Sequence, residues 1–137
     1  FDYISALTGG QGGGIIVDQF TGRVRGGTKY TNGCNDGFQG LGAQVAGEGL
    51  YLVCKAQILG DMPGRACAFI HDEIITDCAK EDVDAVRHHQ ERLMLAASDS
   101  IMPDVRMKAG TVAMAHWSKN AKARYTKAGN LIIDDRH

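Results

Sequence analysis

Hydrophobic positions recur with helical spacing from about Asp36 to Leu59. Phe38, Leu41, Val45, Leu52, Ala56 and Leu59 fall close to one face, with Gly49 filling a gap in the stripe. The spacing predicts a helix over 36–59, approached through the polar stretch Tyr30 to Asn35 and broken at Asp61-Met62-Pro63-Gly64. A second helix is predicted over Lys80 to Ala97. Val83, Val86, Leu93, Met94 and Ala97 supply its apolar stripe, and Glu81, Asp82 and Asp84 favour its N-terminal dipole. Between the helices, Ala66-Cys67-Ala68-Phe69-Ile70 and Ile74-Ile75-Thr76 are too short for helices and rich in strand formers. They read as a tight hairpin with His71-Asp72-Glu73 at its bend. Upstream, Gly14–Asp18 and Gly22–Gly26 read as two short strands around a turn at Gln19 to Thr21. Val24, between two arginines, gives the alternation of a half-buried strand, which Gly26-Gly27 should end. Pro103 stops the second helix, and Val105-Arg106-Met107-Lys108 alternates as a final short strand. The expected class is α/β: a small antiparallel sheet, including the hairpin, backed by two main helices.

Composition sharpens this picture at one point. The 137 residues suit one compact domain or a piece of a larger one, and they contain 18 glycines, where average usage would give roughly ten. Gly40, Gly42, Gly47 and Gly49 lie inside the first helix, each costing about 1 kcal/mol relative to alanine. Such a cost predicts a small-residue face in close contact with another helix or a ligand backbone. The formal charge of −1 excludes a generic polybasic coat for nucleic acid but not a local basic surface. Cys34, Cys54, Cys67 and Cys78 are widely separated, so buried free thiols are expected rather than structural zinc, and a reducing, cytoplasmic compartment fits. No apolar run approaches the ~20 residues of a membrane helix. The start, Phe1-Asp2-Tyr3-Ile4-Ser5, lacks the pattern of a signal peptide and an initiator Met, so a processed product, a fragment or a trimmed chain is expected.

Two constellations carry candidate chemistry. In Ile70-His71-Asp72-Glu73-Ile74 the charged triplet sits between apolar strands, where its carboxylates must face water, a metal or a cation. On its own it reads first as a solvated acidic turn. Asn35 and Gln39 are spaced i, i+4 at the predicted helix start, so both amides share one face. Amides can donate to the minor-groove acceptors that every correct base pair presents, although alone the pair reads as capping residues, Asn35 as an N-cap.

The ordered set is more specific than its parts. Phe20-Thr21-Gly22-Arg23-Val24-Arg25, then Asn35-Asp36-Gly37-Phe38-Gln39-Gly40, then Ile70-His71-Asp72-Glu73 resembles the C-terminal palm of family A DNA polymerases, the bacterial polymerase I and phage replicase group. In that family a T-x-G-R-x-R-like strand precedes N-x-x-x-Q-G at a helix start, and a hydrophobic-H-D-E-hydrophobic hairpin, motif C, follows. Lys80 to Val86 looks like the helix after motif C, Met102-Pro103-Asp104-Val105 looks like the lead into the last palm strand, and Trp117 stands where the family has a near-terminal tryptophan. The resemblance divides the chain into a Gly-rich segment (1–14), a palm subdomain (15–117) and a basic tail (118–137) carrying Lys119, Lys122, Arg124 and Lys127.

Carried over by position, the resemblance implies that Asp72 is a ligand for catalytic Mg2+, that His71 lies near the primer terminus and that Glu73 is an accessory carboxylate. It implies that Asn35 and Gln39 touch the nascent pair or template from the minor groove and that Arg23 and Arg25 lie near the duplex. The implied partners are a DNA primer-template and a dNTP. The chain departs from the family in having no motif A of the form D-Y-S-x-x-E and no fingers helix of the form R-x-x-x-K-x-x-x-(F/Y)-G. Asp2-Tyr3-Ile4-Ser5 is only a superficial echo of motif A. Leu41-Gly42-Ala43-Gln44 also replaces the usual T-A-A-D. One carboxylate site does not clamp two metals, so the chain is expected to be either the C-terminal piece of a split polymerase, completed by a complementary chain carrying motif A and the fingers, or a fragment of a longer polymerase. The competing expectation is a non-catalytic DNA-binding or assembly module derived from a polymerase palm.

Overall fold

The computed structural model describes residues 14–18 and 22–135. Phe20 and Thr21 of the T-x-G-R-like run, and Gly9 to Gly13, lie outside the described residues. The chain divides into two compact units, Phe1–Val45 and Ala46–His137. The architecture is a small α/β fold with two antiparallel two-stranded sheets and two main helices. No described helix is long and apolar enough to cross a membrane.

In the first unit, β1 (Gly14–Val17) pairs antiparallel with β2 (Val24–Thr28). The turn is closed by Asp18 N–H donating to Arg23 O at 2.8 Å and Gly22 N–H to Asp18 O at 2.9 Å. The glycine pair does not end β2, which runs on to a buried Thr28, and Val24 is 63% exposed rather than half-buried. A two-stranded ribbon provides no second layer to cover alternate side chains, so only Ile16 and Thr28 are shielded.

Helical backbone then starts earlier than the apolar pattern indicates. Helix α1 (Tyr30–Asn35) is entered from an extended Lys29, passes into one π-helical stretch at Asp36–Gly40 and continues as α2 (Leu41–Leu59). Asn35 is therefore not an N-cap: its φ of −75° and ψ of −29° are helical, whereas a cap residue is extended. The π stretch admits an extra residue per turn and rotates the side chains before it out of phase with those after it. That rotation takes Phe38 out of the predicted stripe, which also fails at Leu59, the last residue of α2. Phe38 is 85% exposed and Leu59 64%, while the buried residues of α2 are Ala46, Gly49 and Val53.

In the second unit, Val53, Met62, Ile74 and Val86 form the core, with Leu50, Ala56, Ala66, Leu93 and Met94 packed around it. Ile74 belongs to β4 (Glu73–Asp77), which pairs antiparallel with β3 (Arg65–Ile70), and Val86 to α3 (Val83–Ile101), which is preceded by a 3-10 turn at Lys80–Asp82. The close helix contact expected of the glycines is made by Gly49 alone: a Cβ there would lie 3.5 Å from Met94 Cγ and 3.9 Å from Ala97 Cβ. Gly42 and Gly47 face open space, and Gly40 has only the Asp36 carboxylate beside it. Gly47→Ala is accordingly expected to stabilise the protein by about 0.5–1 kcal/mol through helix propensity. A thermal midpoint equal to or below that of the parent would contradict it.

The alternation at 105–108 does not produce a strand: the stretch is irregular, with Val105 and Met107 exposed. Four alternating residues make a strand only where a sheet edge accepts their backbone, and no described edge takes them. The segment after Trp117 folds back. Tyr125 and Leu131 form an antiparallel bridge around a turn at Thr126–Gly129, and Met114 bridges Asp134. The first turns of α3 hold this loop: Asp84 Oδ1 accepts from Leu131 N–H at 2.9 Å, and Arg87 stacks 5.5 Å from the Tyr125 ring. None of the four cysteines is fully buried, and Cys67 is exposed. Burial pushes the Cys78 thiol up, with Asp82 and Asp77 adding to it.

Candidate functional site

The hairpin is tighter than the three-residue bend expected from its hydrophobic runs. Ile70 pairs directly with Glu73, so the connection is the two residues His71-Asp72, and Glu73 is the first residue of β4. Such loops require left-handed backbone, and His71 supplies it with a φ of 58°. Histidine is among the few non-glycine residues enriched there. The turn therefore projects Asp72 beyond the end of the ladder, fixed by strands on both sides. His71, Asp72 and Glu73 are all exposed. No hydrogen bond or ion pair from the described residues engages the Asp72 carboxylate.

A bulge at Cys67, between the Ala66–Thr76 and Ala68–Ile75 pairs, re-aims the far half of the hairpin. One buried side chain locks that hairpin to α3. Gln90 Nε2 donates to Ile74 O at 2.9 Å, and Gln90 Oε1 accepts from Thr76 Oγ1 at 2.8 Å. On the other strand, Ala66 N–H donates to Gln57 Oε1 of α2 at 2.9 Å. Sequence reasoning missed both. The available signal was a glutamine seven residues after Val83 and four after Val86, on the core stripe of α3. Gln90→Leu leaves Ile74 O and Thr76 Oγ1 without their partner in a buried place and is expected to cost about 2 kcal/mol. Urea unfolding measures it, and a loss below about 0.5 kcal/mol would contradict the clamp.

The turn opens onto a groove of about 900 Å3 within the second unit. Asp72, Glu73 and Lys80 line it, as do Gln90, Trp117 and Lys119. The wall formed by residues 110–119 carries no regular structure and gave no periodic signal in the sequence.

The other expected site residues lie in the first unit. Asn35 and Gln39 are exposed, the latter within the π stretch, a local geometry often found at functional sites. Arg23 and Arg25 are exposed at the turn end of β2. The Arg25 guanidinium donates to Asp36 Oδ1 at 2.5 Å, an exposed pair worth at most about 1 kcal/mol. Among the described residues no group of three His, Cys, Asp or Glu side chains is placed to hold a metal ion. No family model matches the chain, and neither a curated protein nor a solved structure matches it.

Proposed function

We propose that the chain is the C-terminal part of a family A DNA-directed DNA polymerase, contributing the motif C aspartate and minor-groove contacts to Mg2+-dependent templated nucleotide addition. The observation that carries the reading is the two-residue turn after Ile70, which presents an Asp72 that no described residue engages beyond a hairpin clamped by Gln90, at the place in the ordered motif set where motif C belongs. Asp72 and the neighbouring Glu73 are hard oxygen donors of the kind magnesium takes, and magnesium is commonly held by one or two carboxylates plus phosphate oxygens. With no cluster of three ligating groups among the described residues, the fit is to a shared site completed by a second chain. Magnesium bound there supplies charge neutralisation at the reacting phosphate and activation of the attacking hydroxyl.

This chain's own residues then have distinct tasks. Asp72 holds the cation, Glu73 adds negative charge beside it, and His71 contacts the primer end. Asn35 and Gln39 donate to minor-groove acceptors, and Arg23 and Arg25 meet duplex phosphate, Arg25 by exchanging Asp36 for it. The test is reconstitution with a chain carrying motif A and the fingers helix, read by primer extension with Mg2+. Extension that requires both chains supports the reading. A complex that binds primer-template but extends nothing would favour a non-catalytic DNA-binding or assembly module.

A further inference from the structure

Charge along this chain is strongly segregated. Residues 105–133 contain Arg106, Lys108, Lys119, Lys122, Arg124 and Lys127 and no Asp or Glu, leaving nine basic and sixteen acidic side chains, a charge of −7, on the rest. The near-neutral total hides this contrast. Four of the cations fall between Trp117 and Lys127, all are exposed, and no ion pair from the described residues neutralises them.

Two aromatic rings stand among these cations. Trp117 is 56% exposed and Tyr125 47%. Burial does not account for either. Tyr125 has Arg87 against its ring at 5.5 Å, which orients it without removing it from solvent. The backbone is not helical here, so the cations do not form the polar face of an amphipathic membrane-surface helix. The loop is nevertheless held in place by the Leu131–Asp84 hydrogen bond and the Tyr125–Leu131 bridge.

We propose that residues 117–127 form a binding surface for single-stranded nucleic acid, with Lys119, Lys122, Arg124 and Lys127 on consecutive phosphates and the Trp117 ring stacked on an unpaired base. Charge complementarity selects a polyanion, and the exposed aromatic faces select one with free π-faces. A duplex keeps its bases stacked on one another and offers them no such face. Trp117 and Lys119 also line the same groove as Asp72 and Glu73, so a strand on this surface shares that groove with the hairpin turn. The surface stands on charge and exposure and goes beyond the polymerase reading.

Trp117 is the sole tryptophan of the chain, so its fluorescence reports this surface directly. Titration of the full chain with oligodeoxythymidylate and with oligouridylate is expected to quench it, and the two arms separate DNA from RNA as the source. With four phosphates neutralised, log K falls with log salt at a slope of about −2.8, an affinity loss of about 50-fold between 50 and 200 mM. Each single substitution, Lys119→Gln, Lys122→Gln or Lys127→Gln, is expected to lower the slope by about 0.7. All three side chains are exposed, and circular dichroism checks the fold of each variant. Absence of quenching, a salt-independent slope, slopes unchanged in all three variants, or equal quenching by polyglutamate or by a blunt duplex would overturn the proposal. Quenching is read on this chain alone, without Mg2+ or a second chain, whereas primer extension needs both, so failure of primer extension and failure of this surface are told apart.

Discussion

Asp72→Ala is expected to reduce primer extension by the reconstituted complex at least about a thousandfold, equivalent to about 4 kcal/mol of transition-state stabilisation. The size follows from the proposed role: without Asp72 the cation would lose its main donor from this chain, with only Glu73 beside it, and phosphate charge would be poorly compensated as it develops. Asp72→Asn should lose nearly as much, since an amide matches the carboxylate in shape but not in charge. Neither substitution should unfold the protein, because Asp72 is exposed and makes no hydrogen bond or ion pair with the described residues. His71→Gly relaxes the one left-handed non-glycine residue among the described residues and, on the proposed reading, also removes the contact with the primer end. Normal extension rates for the Asp72→Ala complex would remove the metal assignment. Loss of extension with loss of chain association would instead mean that the turn serves assembly.

The largest stability effect is expected at Gly64, directly before β3. Its φ of 86° is a region that L side chains rarely adopt, and entering it costs roughly 1–2 kcal/mol. Space is lacking as well: a Cβ would lie 2.8 Å from Asp77 O, 3.0 Å from Cys78 Cβ and 3.1 Å from Thr76 Cγ2. The nearest atom is backbone of the paired strand, so relief requires moving β4 and the core residue Ile74 with it, at roughly 1–3 kcal/mol. Gly64→Ala should therefore lose about 2–5 kcal/mol in urea unfolding, a large share of the stability of a domain this small. Gly60→Ala is the matched comparison. Gly60 has a similar φ of 80° but open space around it, so only the conformational part should appear. Equal losses at the two positions would show that crowding against β4 contributes nothing.

Much of the scaffold was legible because it rests on local patterns. The β3–β4 runs, the breaker between Asp61 and Gly64 and the stripe of α3 all followed from period and turn chemistry. The two-residue loop was not resolved from a three-residue bend, because the difference depends on whether Ile70 pairs with Glu73, a register that two strands settle jointly. The face of α2 was misjudged for a related reason. Large apolar side chains such as Phe38 and Leu59 dominate any count of hydrophobicity, yet the buried residues are small Ala46 and Gly49 with Val53, and Gly49 is what lets Met94 and Ala97 of α3 approach. The final strand at 105–108 failed because alternation is necessary for a strand but supplies no partner.

The candidate site divides along the same line. Residue types and their order marked His71, Asp72 and Glu73 as a charged bend, and marked Asn35 and Gln39 as amides on one helical face. Order along the chain also carried the family resemblance. It could not show that Gln90 reaches from α3 to hold β4 through two hydrogen bonds. Nor could it show that Trp117 and Lys119, over forty residues downstream, line the same groove as Asp72. Chemistry and local geometry are properties of neighbouring residues and are written in the sequence. A clamp between helix and strand, and a groove walled by irregular backbone, arise from packing between distant segments, which no local period encodes.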